Sequence, residues 1–270
     1  MMSSRNRHVV VRTIGALVAV ILVAPTLVVI PISFTGVRSF VFPPQSWSLQ
    51  WYAALFQNPG WVASLQRSAL IGVLAALVAT VCGTAAAIAL VRWHRRRAVA
   101  VARAFLMAPV VIPGIVLAIG IFAAFSVFGL IGTIPGFVLA HAALGIPFVL
   151  ISVTASLSGV DPQIERAAAS LGATRWGVIQ QVTLPLVVPG VLAGALFAFV
   201  TSFDEILVSL FIKSPFLETF PLRIYNSVSN DTDPTVAAAS TLALVITTGA
   251  IILASRFAAA RARRLSTRRV

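Results

Sequence analysis

Six long apolar stretches constrain this chain more than any other feature of its 270 residues. A helix needs about 20 apolar residues, at about 1.5 Å each, to cross the hydrocarbon core of a bilayer. Only 10% of the residues are charged, where a soluble domain has about a quarter. The sequence therefore predicts an all-α, polytopic membrane protein with six transmembrane helices in a single domain over residues 1–270. The stretches lie at residues 13–33, 67–91, 104–128, 136–158, 186–212 and 236–255.

The basic residues between these stretches are distributed unequally. A formal net charge of +13 would indicate nucleic-acid binding in a soluble protein, but here we expect no nucleic-acid partner. Because Lys and Arg concentrate in cytoplasmic loops, we expect a multi-pass protein of a bacterial plasma (inner) membrane with both termini cytoplasmic. Of the 20 lysines and arginines, four lie on the opposite side and 16 lie in segments 1–12, 92–103, 159–185 and 256–270.

The segment 159–185 contains the pattern of a short helix. Asp161 followed by Pro162 is typical of a helix start, and Gly172 is placed to end the helix in a left-handed turn. Such a helix is too short to be stable alone in water. Its apolar stripe suits either a groove on another protein or the membrane surface, and the pattern alone leaves both open. The stripe consists of Ile164, Ala167, Ala168 and Leu171.

The fifth apolar stretch carries two acidic residues, Asp204 and Glu205. Charged groups at membrane depth cost about 2.5–3.5 kcal/mol on insertion scales, so they usually face a cavity or a partner. On a continuous helix, Glu205 shares a polar face with Ser202 and Ser209, whereas Asp204 points about 100° away. We expect Glu205 to face a translocation path and Asp204 to support an interface with a partner or a loop.

A structural role for this acidic pair is the alternative. The carboxylates would then pair with Arg223, Lys213 or an arginine of a partner subunit and fix the assembly. His141, inside the fourth stretch, has no carboxylate nearby in the sequence. We expect it to be a neutral, hydrogen-bonding core residue. Prolines at membrane depth, Pro109, Pro113 and Pro147, predict kinks in the third and fourth stretches.

The chain carries no motif for catalysis, for a metal or for a nucleotide. It has no Gly-rich phosphate loop, no metal-spaced set of His and Cys, and no nucleophile elbow. Its one cysteine, Cys82, excludes an intrachain disulfide. We therefore expect a protein that is not an enzyme and that holds no cofactor of its own.

The segment 159–185 resembles the EAA loop of binding-protein-dependent ABC importers. That pattern reads Glu-Ala-Ala, three residues, Gly, nine residues, Ile, one residue, Leu-Pro. The spacing fits throughout, although Arg166 stands at the glutamate position, one residue after Glu165, and Val182 replaces the isoleucine. The resemblance implies contact with an ATPase subunit. The residues implied are Ile164, Glu165, Arg166, Ala167, Ala168, Leu171, Gly172 and Pro185.

The resemblance extends over about residues 45–255. The stretch from Ser202 to Ser209, followed by Thr219-Phe220-Pro221 and Asp233-Pro234-Thr235, is similar to the second permease of spermidine/putrescine-type importers. This implies the type I importer fold, in which five core helices surround a path shared with a homologous second permease. It also implies two ATPase subunits, which bind the ATP, and an extracytoplasmic solute-binding protein. The translocation-path candidates are Ser202, Asp204, Glu205 and Ser209.

The resemblance favours a polyamine, putrescine or spermidine, as the imported solute. Amino acids, opine-like amines and ferric ion remain alternatives within the importer class. A secondary transporter would need its own ion-coupling site at membrane depth, often in inverted repeats, and the six stretches contain no recognisable repeat. A membrane-anchored assembly protein would explain the short docking helix but not the acidic pair.

Overall fold

The computed structural model describes residues 4–92, 96–230 and 233–267. Within these residues the regular elements are helices, accompanied by two isolated β-bridges, so the all-α prediction is confirmed. Arg95, Arg268 and Arg269, which contribute to the predicted orientation, lie outside the described residues. In chain order the helices are α1 (Ser4–Ser33), α2 (Gln50–Gln57), α3 (Pro59–Arg92), α4 (Arg96–Val111), α5 (Gly114–Phe128), α6 (Ile134–Ser158), α7 (Pro162–Ser170), α8 (Arg175–Val178), a π-helical turn (Ile179–Thr183), α9 (Leu184–Phe203), α10 (Leu207–Ile212), α11 (Phe220–Asn230) and α12 (Thr235–Thr267).

Four helical segments of the described chain are long and apolar enough to cross a membrane. Two further pairs of helices qualify when each bent pair is taken as one span, which gives the six predicted spans. The first pair, Val11–Ala24 with Thr26–Ser33, is bent by 44°, and the second, Arg97–Val111 with Gly114–Phe128, by 108°. The four unbroken segments are Pro59–Arg92, Ile134–Ser158, Arg175–Phe203 and Thr235–Leu253.

The predicted third stretch contains a sharp break. Residues 104–128 are divided between α4 and α5 at Ile112 and Pro113, as expected for a proline that lacks the backbone N–H and restricts the residue before it. By contrast, α4 continues through Pro109 to Val111, and α6 continues through Pro147 as one helix from Ile134 to Ser158. The predicted kink is therefore found in the third stretch, whereas in the fourth the proline does not divide the helix.

The predicted fifth stretch, 186–212, is not one helix, and this prediction is wrong. Helix α9 ends at Phe203, and the short helix α10 begins only at Leu207. The three residues between them include both carboxylates. Hydropathy alone could not locate this break, because Ile206 and the residues of α10 continue the apolar run.

The described chain divides into two compact units. One comprises the residues up to Val62 together with Ile224–Val245. In it, Trp51 Nε1 donates to the Thr35 carbonyl at 2.7 Å, and the hydroxyls of Ser33 and Tyr52 lie 2.7 Å apart. These hydrogen bonds connect the end of α1 and the segment after it to helix α2. The prediction of a single domain over the whole chain stays a prediction.

The second unit comprises Ala63–Arg223 and the residues from Ile246 onward. Its main core cluster is formed by α3, α6 and α9. In the contact of α6 with α9, small residues allow the backbones to approach closely. A Cβ added at Gly194 would lie 2.8 Å from Val149 Cα, and one added at Gly190 would lie 2.7 Å from the Ser152 carbonyl oxygen. Because Val149 is fully buried, neither helix has room to move away without opening the core.

Candidate translocation and coupling sites

The break between α9 and α10 is where Glu205 is positioned. Glu205 Oε1 accepts a hydrogen bond of 2.7 Å from the Val208 N–H in the first turn of α10. The first N–H groups of a helix have no partner within the helix, so a carboxylate oxygen satisfies one of them. Glu205 is half-buried, whereas Asp204 is exposed. The adjacent carboxylates therefore occupy different environments.

Glu205 lines a cavity of about 330 Å³. Its wall is mostly apolar and is formed by α4, α5, α6, α9 and α10, so the 108° bend between α4 and α5 contributes to its shape. Asp204, Ser202 and Ser209 are not among the lining residues. Besides Glu205, the cavity is lined by Pro109, Val110, Ile112, Gly114, Leu117, Leu144, Phe148, Thr201, Leu207 and Val208.

Ser202 and Ser209 instead contact His141, which is fully buried in α6. His141 Nδ1 lies 2.8 Å from Ser202 Oγ and 3.1 Å from the Ser202 carbonyl oxygen, and Nε2 lies 3.2 Å from Ser209 Oγ. The polar face expected from a continuous helix is therefore not formed. His141 joins the end of α9 to α10 across the break, and the prediction of a hydrogen-bonding core histidine is confirmed.

The cations proposed as alternative partners of the acidic pair lie elsewhere. Arg223 pairs with Glu218 at 3.3 Å, and Lys213 lines a separate pocket with Glu218. Among the described residues, neither Asp204 nor Glu205 forms an ion pair. A pairing with an arginine of a partner subunit stays an open alternative.

Helix α7 begins and ends as the sequence predicts. Asp161 Oδ1 accepts a 2.9 Å hydrogen bond from the Gln163 N–H, and Pro162 is the first helical residue. At the other end Gly172 has φ +90°. The Gly172 and Ala173 N–H groups bond to the carbonyls of Ala169 and Ala168 at 3.0 and 3.1 Å, which is the Schellman arrangement.

The apolar stripe of α7 is uncovered in this chain. None of the α7 side chains is buried, Ile164 is 42% exposed and Leu171, just beyond the helix, is 89% exposed. Ala167 is exposed and Ala168 is half-buried. A surface of this kind can accept a partner without rearrangement of the chain's own core.

The charged residues of α7 differ in their surroundings. Arg166 is exposed, as is Pro185 at the start of α9. Glu165 forms an ion pair with Arg92 at the end of α3 and accepts a hydrogen bond of 2.7 Å from Thr183 Oγ1. Neither Arg92 nor Thr183 was identified as a site residue from the sequence. Arg92 belongs to an arginine-rich segment that the sequence assigns to topology, and Thr183 occupies a position that the EAA pattern leaves unspecified.

Comparisons with known proteins show the family to which the chain belongs. Residues 79–267 match the family described as binding-protein-dependent transport system inner membrane component. The chain is 32% identical to the spermidine/putrescine transport system permease protein PotC of Escherichia coli (strain K12), over 82% of this chain and 83% of that protein. It is 30% identical to the putrescine transport system permease protein PotI of the same organism, over 83% and 81%.

Solved structures show the same fold. A chain of a bacterial alginate ABC transporter, solved with an alginate pentasaccharide-bound periplasmic protein, has a TM-score of 0.69 at 15% identity, with 93% of both chains covered. A chain of an amino acid ABC transporter has a TM-score of 0.58 at 20% identity, with 77% of this chain and 97% of that chain covered. The prediction of the type I importer permease fold is confirmed.

The helices are long enough to cross a membrane, and the chain matches known permeases over most of its length. These observations define a multi-pass membrane permease. The chain belongs to the family of binding-protein-dependent transport system inner membrane components. It is accordingly a transport subunit and not an enzyme, as predicted. Family membership also decides between an ABC importer and a secondary transporter, in favour of the importer.

Proposed function

We propose that this chain is the permease subunit through which an ABC importer takes up a polyamine, putrescine or spermidine. The observation that supports it most is the 32% identity to the spermidine/putrescine permease over four fifths of both chains. The 30% identity to a putrescine permease points to the same solute class. The geometry of the cavity at Glu205 supports this class independently.

The cavity offers what an aliphatic amine needs. Glu205 supplies an anionic group for an ammonium, while Leu117 and Leu144 supply apolar surface for methylene groups. Phe148 also lines the cavity, and aromatic faces attract cations. One carboxylate in a half-buried position binds a cation weakly enough for release, which conduction requires. In this proposal Asp204, which is exposed, supports an interface, while Ser202 and Ser209 hold the break in shape through His141.

Helix α7 is proposed to contact the ATPase. Its stripe is uncovered and small, and its alanines allow a partner surface to approach closely, as in helix-in-groove recognition. The residues assigned to this contact are those of the EAA resemblance other than Glu165, whose carboxylate pairs with Arg92 of this chain. Among them Ile164, Arg166 and Leu171 are exposed. The small size of the stripe supports docking, since binding to a membrane surface scales with the apolar area that is buried and this stripe offers little.

The partners in this proposal are a homologous second permease, two ATPase subunits and an extracytoplasmic solute-binding protein. The ATPase subunits bind the ATP, so this chain needs no cofactor. Both termini and the segment 159–185 are cytoplasmic, in accord with the distribution of arginines. ATP binding closes the ATPase subunits and displaces α7, which turns the permease outward, and hydrolysis resets it. The contact with α7 must differ between the two states for work to be transmitted.

Uptake of radiolabelled putrescine and spermidine by proteoliposomes that contain the whole complex tests the proposal. We expect uptake that requires ATP and the loaded binding protein. Competition by unlabelled amino acids and by ferric ion distinguishes the alternative solutes. If neither polyamine is taken up while another solute is, the importer function stands and the polyamine assignment is wrong. Uptake independent of ATP would contradict the importer function itself.

A further inference from the structure

Glu165, Arg92 and Thr183 form a closed triangle of side chains. Glu165 Oε1 pairs with Arg92 and accepts the 2.7 Å hydrogen bond from Thr183 Oγ1. Arg92 also donates to Thr183 Oγ1 at 2.6 Å. Each member of the triangle therefore contacts the other two, and charge-assisted hydrogen bonds of this kind are stronger than neutral ones.

The triangle joins three elements that are distant in the sequence. Arg92 is the last residue of α3, Glu165 lies in α7, and Thr183 ends the π-helical turn that leads into α9. Thr183 is fully buried, and the side chains of Arg92 and Glu165 are only 32% and 24% exposed. Partial burial reduces screening by salt, so the attraction between Arg92 and Glu165 is stronger than that of an ordinary surface ion pair.

Besides the triangle, helix α7 packs against α8 and the π-helical turn, both of which follow it in the chain. None of its side chains is buried, and Gly159 and Gly172 lie next to its two ends. A force applied to the exposed stripe would reach the long helices through these flanking turns, through the packing on α8 and the π-helical turn, or through Glu165. Turns deform easily, whereas the triangle connects α7 directly to the ends of α3 and α9.

We propose that Arg92, Glu165 and Thr183 form a clamp that makes α7 move together with α3 and α9. Displacement of α7 by the ATPase is thereby transmitted to two long helices at once. This inference rests on the proposed function and adds three positioning residues to it. In this proposal Glu165 contacts residues of the permease itself. The exposed Arg166, at the glutamate position of the EAA pattern, contacts the ATPase.

The number of putrescine molecules transported per ATP hydrolysed tests the clamp in proteoliposomes that contain the whole complex. We expect Glu165→Arg and Arg92→Glu each to lower this ratio by about threefold or more, because each replaces the ion pair by two like charges. The double variant Arg92→Glu/Glu165→Arg should restore it, because the charges are exchanged and the pair is kept. If Glu165 contacted the ATPase instead, the exchange would not restore the ratio, and the clamp would be wrong.

A second pair of variants changes only the hydroxyl. Thr183→Val removes it at nearly constant volume and should lower the ratio, whereas Thr183→Ser keeps it and should not. Gln163→Ala alters an exposed side chain of the same helix outside the clamp and serves as the control. A Thr183→Val complex with the wild-type ratio would overturn the proposal.

The contact can also be measured without any transported solute. In a double-mutant cycle on thermal unfolding of the purified complex, Arg92→Ala and Glu165→Ala should be non-additive, and additive effects would contradict the clamp. The proposed function is judged separately, by ATP-dependent uptake in the wild-type complex. If the wild-type complex transports putrescine but the charge exchange does not restore the ratio, the proposed importer function stands and only the clamp is wrong.

Discussion

The carboxylate of Glu205 and the backbone N–H of Val208 form a 2.7 Å hydrogen bond that starts helix α10 inside the wall of a cavity. One side chain therefore has two roles, since one oxygen satisfies a helix terminus and the negative charge faces the cavity. A substitution by glutamine separates these roles, because the amide oxygen can still accept the hydrogen bond while the charge is removed.

Glu205→Gln is expected to weaken transport of a cationic solute without loss of assembly. We expect the KM for putrescine uptake to rise roughly tenfold, which corresponds to about 1.4 kcal/mol, with little change in the amount of assembled complex. The measurement is the concentration dependence of uptake in proteoliposomes. The matched variant Asp204→Asn removes a charge from an exposed side chain that does not line the cavity, and its KM should change much less. Equal effects at both positions would refute the assignment of the cavity.

Gly172→Ala tests the left-handed turn after α7. At φ +90° an alanine is strained, by about 1–2 kcal/mol, although an added Cβ would meet no atom within 4 Å. We expect uptake to fall while the complex still assembles. Gly159, at the other end of α7, has φ −88°, which alanine tolerates, so Gly159→Ala should transport normally. Normal uptake by Gly172→Ala would show that the turn geometry does not matter for coupling.

Gly194→Ala tests the close contact of α6 with α9. Alanine favours a helix over glycine by about 1 kcal/mol, but here its Cβ would lie 2.8 Å from Val149 Cα. Overpacking costs about 1–3 kcal/mol, so the midpoint of thermal unfolding should fall. Gly120 in α5 has no atom within 4 Å of an added Cβ, and Gly120→Ala should leave the midpoint unchanged or raise it. A stabilised Gly194→Ala protein would contradict the packing.

His141→Phe removes the bridge across the break between α9 and α10. The substitution keeps a ring but removes the partner of the Ser202 hydroxyl and one of two partners of the Ser209 hydroxyl, which also donates to the Glu205 carbonyl at 3.0 Å. A buried group left unsatisfied costs about 1–3 kcal/mol. We expect a lower thermal midpoint together with slower uptake, since Glu205 lies within the segment that His141 fixes. The triple variant with Ser202→Ala and Ser209→Ala should recover part of the stability. No recovery would mean that the hydroxyls are not the groups that depend on His141.

The features of the fold that depend on neighbouring residues could be predicted from the sequence, whereas those that depend on contacts between distant residues could not. The apolar stretches give the all-α class and the number of spans, because the hydrocarbon core demands about 20 residues of any helix that crosses it. The limits of α7 also follow from Asp161, Pro162 and Gly172, each of which acts on its own turn. The break at 204–206 was not predicted, since it depends on His141 holding two serines that are 61 and 68 residues away.

In the candidate sites, too, the sequence indicates some of the functional residues but not the distant residues that they contact. Glu205 stands out in the sequence because a charge within an apolar run is costly, whereas its hydrogen bond to Val208 depends on a break that hydropathy does not show. The pairing of Glu165 with Arg92 spans 73 residues. Arg92 is one of several arginines in its segment, and nothing in the sequence distinguishes it from its neighbours. Only the structure shows which arginine forms the ion pair with Glu165.

The bend at Ile112 and Pro113 has a consequence for biogenesis. Helices α4 and α5 have 16 and 15 residues, so each is about 22–24 Å long, and neither alone spans a hydrocarbon core of about 30 Å. Released singly into lipid, each would leave helix ends unsatisfied there. Helix α4 packs against α6, and α5 packs against α10, which the ribosome completes several seconds after α5 at about 5–20 residues per second. We therefore expect this bent pair to depend on protein neighbours during insertion, first on α6 and later on α10, rather than on lipid alone.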